Sequence, residues 1–161
     1  MGSERADLLA SLRRHRGFLL FTVGGLTDEQ ARSTPTASAL CLVGLLRHVA
    51  DTERRWGAFA AGGAAEMEKI EVDWASGFTM PAGATLADVV ADFTEAAAGT
   101  DTLVETLDLD RLHELPRAPW FEPGASWSVR RVFLHVIAEI SQHAGHADII
   151  RESIDGQKTM G

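Results

Sequence analysis

Leu8, Leu9, Leu12, Leu19 and Leu20 recur among arginines and small polar residues at the spacing of one helix face. A period of 3.6 residues carries such positions onto one side of a helix, so the pattern predicts a first helix over residues 4–23. Ser3 stands at its start as an N-cap and Gly24-Gly25 stops it. The turn 26-LTDEQA-31 sets Thr27 and Gln30 at capping-box spacing and predicts one short helical turn. The helical pattern returns from Ser38, after the break at Pro35, to Ala61. Leu42, Leu45, Leu46, Val49, Trp56 and Phe59 form its apolar face, and Gly62-Gly63 ends it. Thr85 opens a third helix to about Leu107, with Asp88 at the capping-box position and Leu86, Val89, Val90, Phe93, Leu103 and Leu107 inward. Ser128 caps a fourth that runs to Asp155 before Gly156; at ~1.5 Å per residue it is on the order of 40 Å long.

Two stretches break the pattern. Residues 64–84 are mixed: 70-IEVDW-74 fits a short strand or an extended loop, and Pro81 with Gly83 closes the segment. Residues 108–127 hold three prolines and two tryptophans, which predicts an irregular covering loop. With no internal repeat and no domain-sized break, the expectation is an all-α fold. It is one domain over residues 1–161, a four-helix bundle with long crossover connections.

Composition narrows the function classes. A net charge of −8 over 161 residues argues against a sequence-independent grip on nucleic-acid phosphates. No apolar run is long enough to span a bilayer and no signal peptide is evident, so a cytoplasmic location and no membrane partner are expected. The single cysteine, Cys41, sits in 39-ALCLVGLL-46, a context that favours an inert core thiol over a nucleophile.

The fourth helix carries the candidate chemistry. In 134-LHVIAEISQHAGHADII-150, residues His135, Glu139 and His143 lie four apart and stack along one helix face, with His146 beside them. Glu139 and His143 can converge on one ion. A carboxylate facing a bundle core needs a partner in any case. His48, in the middle of the second helix at the edge of its apolar face, is the candidate third donor, since bundle metal sites draw inward side chains from facing helices. Two imidazoles and one carboxylate suit Zn²⁺, with Ni²⁺ or another divalent ion as alternatives, and leave coordination positions open for catalysis. From spacing alone, a metal site and a polar seam satisfied by its own hydrogen bonds are both open.

The stretches 139-EISQHAGHADIIRESIDG-156 and 40-LCLVGLLRHVADTERRW-56 resemble the DinB / YfiT-like family of metal-dependent bundles. More narrowly, they resemble its actinobacterial branch of mini-circle protein relatives, akin to mycothiol-dependent enzymes such as maleylpyruvate isomerase. The resemblance covers nearly the whole chain. It implies one histidine ligand from the second helix and two ligands four apart on the fourth, the first of them glutamate. Matched residue by residue, these are His48, Glu139 and His143. It also implies mycothiol, or a similar low-molecular-weight thiol, as co-substrate.

The other candidates each carry two readings. His135 is a further ligand, a proton carrier, or, as we favour, a hydrogen-bond partner that orients the ligands. His146 lines the pocket or makes an interhelical hydrogen bond. Asp51, one turn after His48, orients that imidazole or faces solvent. Asp148, Arg151 and Glu152 read as helix-surface pairs, Trp120, Phe121 and Trp127 as a pocket roof or bundle-end packing, and His15 and His113 as solvent-facing.

Three functions follow as expectations. The first is a metal-dependent transferase that joins the thiol to an electrophilic small molecule. The second is a hydrolase or isomerase on the same site, with His135 and Asp51 as candidate catalytic bases. The third is a non-catalytic metal-binding bundle that works by partner binding, as a homodimer for example.

Overall fold

The computed structural model describes residues 3–73, 76 and 78–160. Four long helices form the bundle: α1 (Glu4–Phe21), α3 (Leu42–Gly62), α5 (Leu86–Thr106) and α6 (Val129–Asp155). Two short ones, α2 (Asp28–Arg32) and α4 (Ala64–Glu68), lie in the connections. The caps at Ser3, Thr85 and Ser128 each accept a hydrogen bond from the first turn, and both Thr27–Gln30 and Thr85–Asp88 close capping boxes. Gly156 ends α6 in the left-handed conformation at φ 79°, where a Cβ would be strained.

Helix directions follow from the ties between them. Glu4 pairs with Arg130, and Arg151 donates to the carbonyls of Thr22 and Gly24 at 2.9 Å, so α1 and α6 run parallel. Arg5 donates to the Val104 carbonyl and Asp28 accepts from Leu86 N, so α1 and α5 run antiparallel. Contacts of His48 with Glu139 and of Trp56 with His135 set α3 antiparallel to α6. It follows that α3 and α5 are parallel, and their connection must travel the length of the bundle. It does so along α3. Arg55 donates to the carbonyl of Ile70, Arg47 to those of Ser76 and Thr79, and the thiol of Cys41 to that of Phe78.

Several expectations change here. α3 starts at Leu42, not Ser38, because the Ser38 hydroxyl accepts from Leu40 N in a local turn that competes with helix. The N-cap is Cys41, whose buried sulfur accepts from Gly44 N at 3.4 Å. The 64–84 segment holds helix α4, and residues 70–73 are not a strand; Trp74 lies outside the described residues. The 108–127 segment is not wholly irregular. β1 (Leu112–Glu114) and β2 (Ser126–Ser128) pair antiparallel, with His113 opposite Trp127. Three-residue strands are too short to show an alternating pattern, and the three prolines sit between them, clear of the ladder.

Arg151 is not a surface residue. It is 4% exposed, pairs with Asp155 and satisfies the carbonyls at the end of α1, where no further helical turn supplies donors. His113 is half-buried, its Nε2 3.1 Å from the Ala60 carbonyl and its ring against Phe59. His15 is half-buried against Phe18. Asp148 accepts from Thr159 N, and Glu152 pairs with Lys158 at the surface. None of the described helices is long and apolar enough to cross a membrane.

Leu12, Leu19, Leu42, Leu45, Leu46, Val49, Phe59, Phe93, Phe133 and Ile140 fill the centre at 1% exposure or less. One ion pair is buried among them. Arg16 meets Glu53 through two hydrogen bonds of 2.9 and 2.6 Å and reaches Asp101 at 2.7 Å. Burial works against the Arg16 charge, but the bonds with Glu53 and Asp101 outweigh it and raise its pKa.

Candidate metal centre

The regular turns of α6 place Glu139 and His143 one above the other, and α3 brings His48 to face them. His143 Nε2 lies 3.5 Å from Glu139 Oε2, and His48 Nε2 lies 3.8 Å from the same oxygen. One donor atom from each of the three residues falls within 4.8 Å of the others. Around a four-coordinate zinc with bonds of about 2.0–2.1 Å, donors stand roughly 3.3 Å apart, so small side-chain movements bring these atoms to ligand spacing. The nitrogen and oxygen donors also fit the ion chemically. Hydrogen bonding from His143 and then His48 outweighs burial and holds the Glu139 carboxyl far below its usual range.

The surroundings hold both imidazole rings of the cluster. Phe78, on the crossover, stacks on His48 with ring centroids 4.6 Å apart and planes 22° from parallel. It comes this close because Gly44 offers no side chain: a Cβ there would stand 2.0 Å from the Phe78 carbonyl oxygen. His143 presents its other nitrogen, Nδ1, to His146 Nδ1 at 3.3 Å. The partner of His146 is thus one turn away on its own helix, not on another helix.

His135 falls beside the cluster, outside the group of converging donors. Its Nε2 is 3.7 Å from Glu139 Oε1, and its ring lies against Trp56 and Trp127 at 4.7 and 5.2 Å. Burial pushes its pKa down, against the pull of Glu139. The two indoles stack at 5.1 Å, and Arg131 covers Trp127 at 4.9 Å. Asp51 pairs with Arg54 at 3.9 Å, and burial raises its pKa despite that cation. Of the loop aromatics, Trp120 is 77% exposed, with its ring edge-on to Phe121. Phe121 packs on Trp127 and lines a cavity of about 540 Å³ formed by residues of the 114–124 segment, with none of His48, Glu139 and His143 among its walls.

Phe78 and Gly44 escaped the sequence reading. Phe78 lies in a segment with no periodic pattern, and a glycine inside an apolar helix was the one available hint of close backbone approach.

A bundle with a long crossover and a histidine–carboxylate cluster between two facing helices has the all-α architecture of the DinB-like class. Within that class, the family model described as mycothiol-S-transferase matches residues 7–156, and the chain belongs to this family. No curated protein matches it. The fold is similar to a crystal structure of a conserved protein from Enterococcus faecalis, with a TM-score of 0.73 and 13% sequence identity. That similarity covers 98% of this chain and 100% of the other.

Proposed function

We propose that His48, Glu139 and His143 hold one divalent ion, zinc in the first instance, and that the chain joins mycothiol to an electrophilic small molecule. In this reading the whole chain works as one domain. The observation that carries it is the convergence of three metal-competent donors from two facing helices, in a chain whose family is named for thiol transfer.

A cysteine-type thiol has a pKa of about 8.5 and is mostly protonated at neutral pH. A divalent ion at the cluster would supply Lewis acidity that favours the thiolate. The residues of the chain do the rest. Glu139 contributes one negative charge, so two neutral imidazoles and one carboxylate leave a Zn²⁺ site with a net positive charge suited to an anionic sulfur. His135, whose pKa burial pushes down, lies 3.7 Å from Glu139 and in this reading takes the proton that the thiol gives up. Trp56 and Trp127 wall that side with apolar surface and limit water.

The test is conjugation of mycothiol to a bimane electrophile by zinc-loaded protein, chelator-stripped protein and Glu139→Gln. We expect the loaded protein to be fast and the other two slow. Equal rates with and without zinc, or with and without protein, would remove the proposal.

A further inference from the structure

We infer that His143 and His146 form a coupled tautomer pair, in which His146 positions His143 for metal by exchanging donor and acceptor roles at a single nitrogen. The inference rests on the metal centre proposed above and concerns how this chain's residues prepare it.

The two Nδ1 atoms face each other at 3.3 Å, and a hydrogen bond between them requires that one carry the proton and the other a lone pair. Which one carries it is set at the far side of His143, where Nε2 lies 3.5 Å from Glu139 Oε2. Without metal, the carboxylate draws a proton onto His143 Nε2. A neutral His143 then has a bare Nδ1, and His146 must donate from its own Nδ1. With metal, His143 Nε2 gives its lone pair to the ion, its proton resides on Nδ1, and His146 Nδ1 must accept. Each ring keeps one proton throughout: on His143 it passes from Nε2 to Nδ1, on His146 from Nδ1 to Nε2. His146 therefore holds the His143 ring in one orientation in both states, so the ion meets a ligand already aimed at it. A metal-bound histidine commonly gives its second N–H to such a partner, and losing the partner typically weakens binding about 10–100-fold. Sequence spacing favoured His135 for this duty, but His135 faces Glu139 and the two tryptophans and touches neither imidazole ligand by any ring contact among those of the described residues.

The experiment combines imidazole ¹⁵N NMR of the wild type, at alkaline pH where the rings are neutral, with zinc affinities of His146→Leu and His146→Asn by chelator competition. On adding zinc, we expect the His143 proton to move to Nδ1 and the His146 proton to Nε2. His146→Leu, which can neither donate nor accept, should bind zinc about 10–100-fold more weakly. His146→Asn, whose amide can turn either its oxygen or its nitrogen to His143, should stay within a few-fold of wild type. Unchanged affinity in the leucine variant, or an asparagine variant as weak as the leucine one, would overturn the pairing. So would a His146 proton that stays on Nδ1 with zinc bound, a result read on wild type alone should the leucine variant not fold. Wild-type protein that binds no zinc would instead sink the metal centre itself, and this inference with it.

Discussion

In an Arg16→Met variant, the Glu53 side chain stays at 1% exposure but loses both hydrogen bonds to the guanidinium. Removing one partner of a buried pair costs about 3–5 kcal/mol, because the remaining charge is held away from water without compensation. We place Arg16→Met at the upper end of that range. Glu53→Leu belongs at the lower end, since Arg16 keeps Asp101 at 2.7 Å, and the Asp101 side chain is 21% exposed. The double variant replaces both charges with apolar groups of similar volume, and Asp101 keeps Arg13 at 3.0 Å; it should fall within about 1 kcal/mol of wild type. Against a total stability of about 5–15 kcal/mol, Arg16→Met is then severe. At about 2–4 °C per kcal/mol for a chain of this size, its Tm should drop by roughly 10–20 °C. Urea unfolding followed by circular dichroism gives all four corners of the cycle. A double variant as unstable as the sum of the two singles would refute the argument, since the two charges would then not depend on each other.

Other outcomes follow from the same structure. Gly44→Ala sets a Cβ against the Phe78 backbone, so it should cost about 1–3 kcal/mol as an overpacked site and also weaken zinc binding by displacing the ring from His48; the control Gly99→Ala, with open space around it, should stabilise the protein by about 0.5–1 kcal/mol in thermal melts. Asp51 has a folded pKa raised by burial above 3.8, so its contribution to stability is present below pH 3.8 and is lost as pH rises through the folded pKa. Asp51→Asn should therefore be more stable than wild type at neutral pH, with the gap closing in acid; an equal gap at all pH values in urea titrations would contradict this.

The four long helices were legible because each has an apolar face at helical spacing and a polar cap, and both signals are local. Ser38 misled because a serine after a proline break can serve a local turn as well as a helix, and the true cap, Cys41, is an unusual residue for the role. The strand pair around residues 112–128 was invisible because each strand is only three residues long and its partner lies beyond a proline loop. Stacking of Glu139 and His143 was readable from i,i+4 spacing, which is a property of any helix. The approach of His48 to them depends on how α3 and α6 pack, and spacing within one helix cannot report that. The crossover that runs back along α3 likewise brings Phe78 onto His48, whereas His146 stands three residues after His143 on the same helix and only the ring orientations decide that their Nδ1 atoms face each other. Arg151 looked like a surface residue because its buried partners are backbone carbonyls far away in sequence.

Zinc stoichiometry measures directly whether His48, Glu139 and His143 hold an ion. Metal-free protein titrated with zinc by calorimetry should take up one tightly bound ion per chain. His143→Ala should lose that binding while His15→Ala, which lies outside the cluster, keeps it. Undiminished stoichiometry and affinity in His143→Ala, or no zinc taken up by the wild type, would contradict the account.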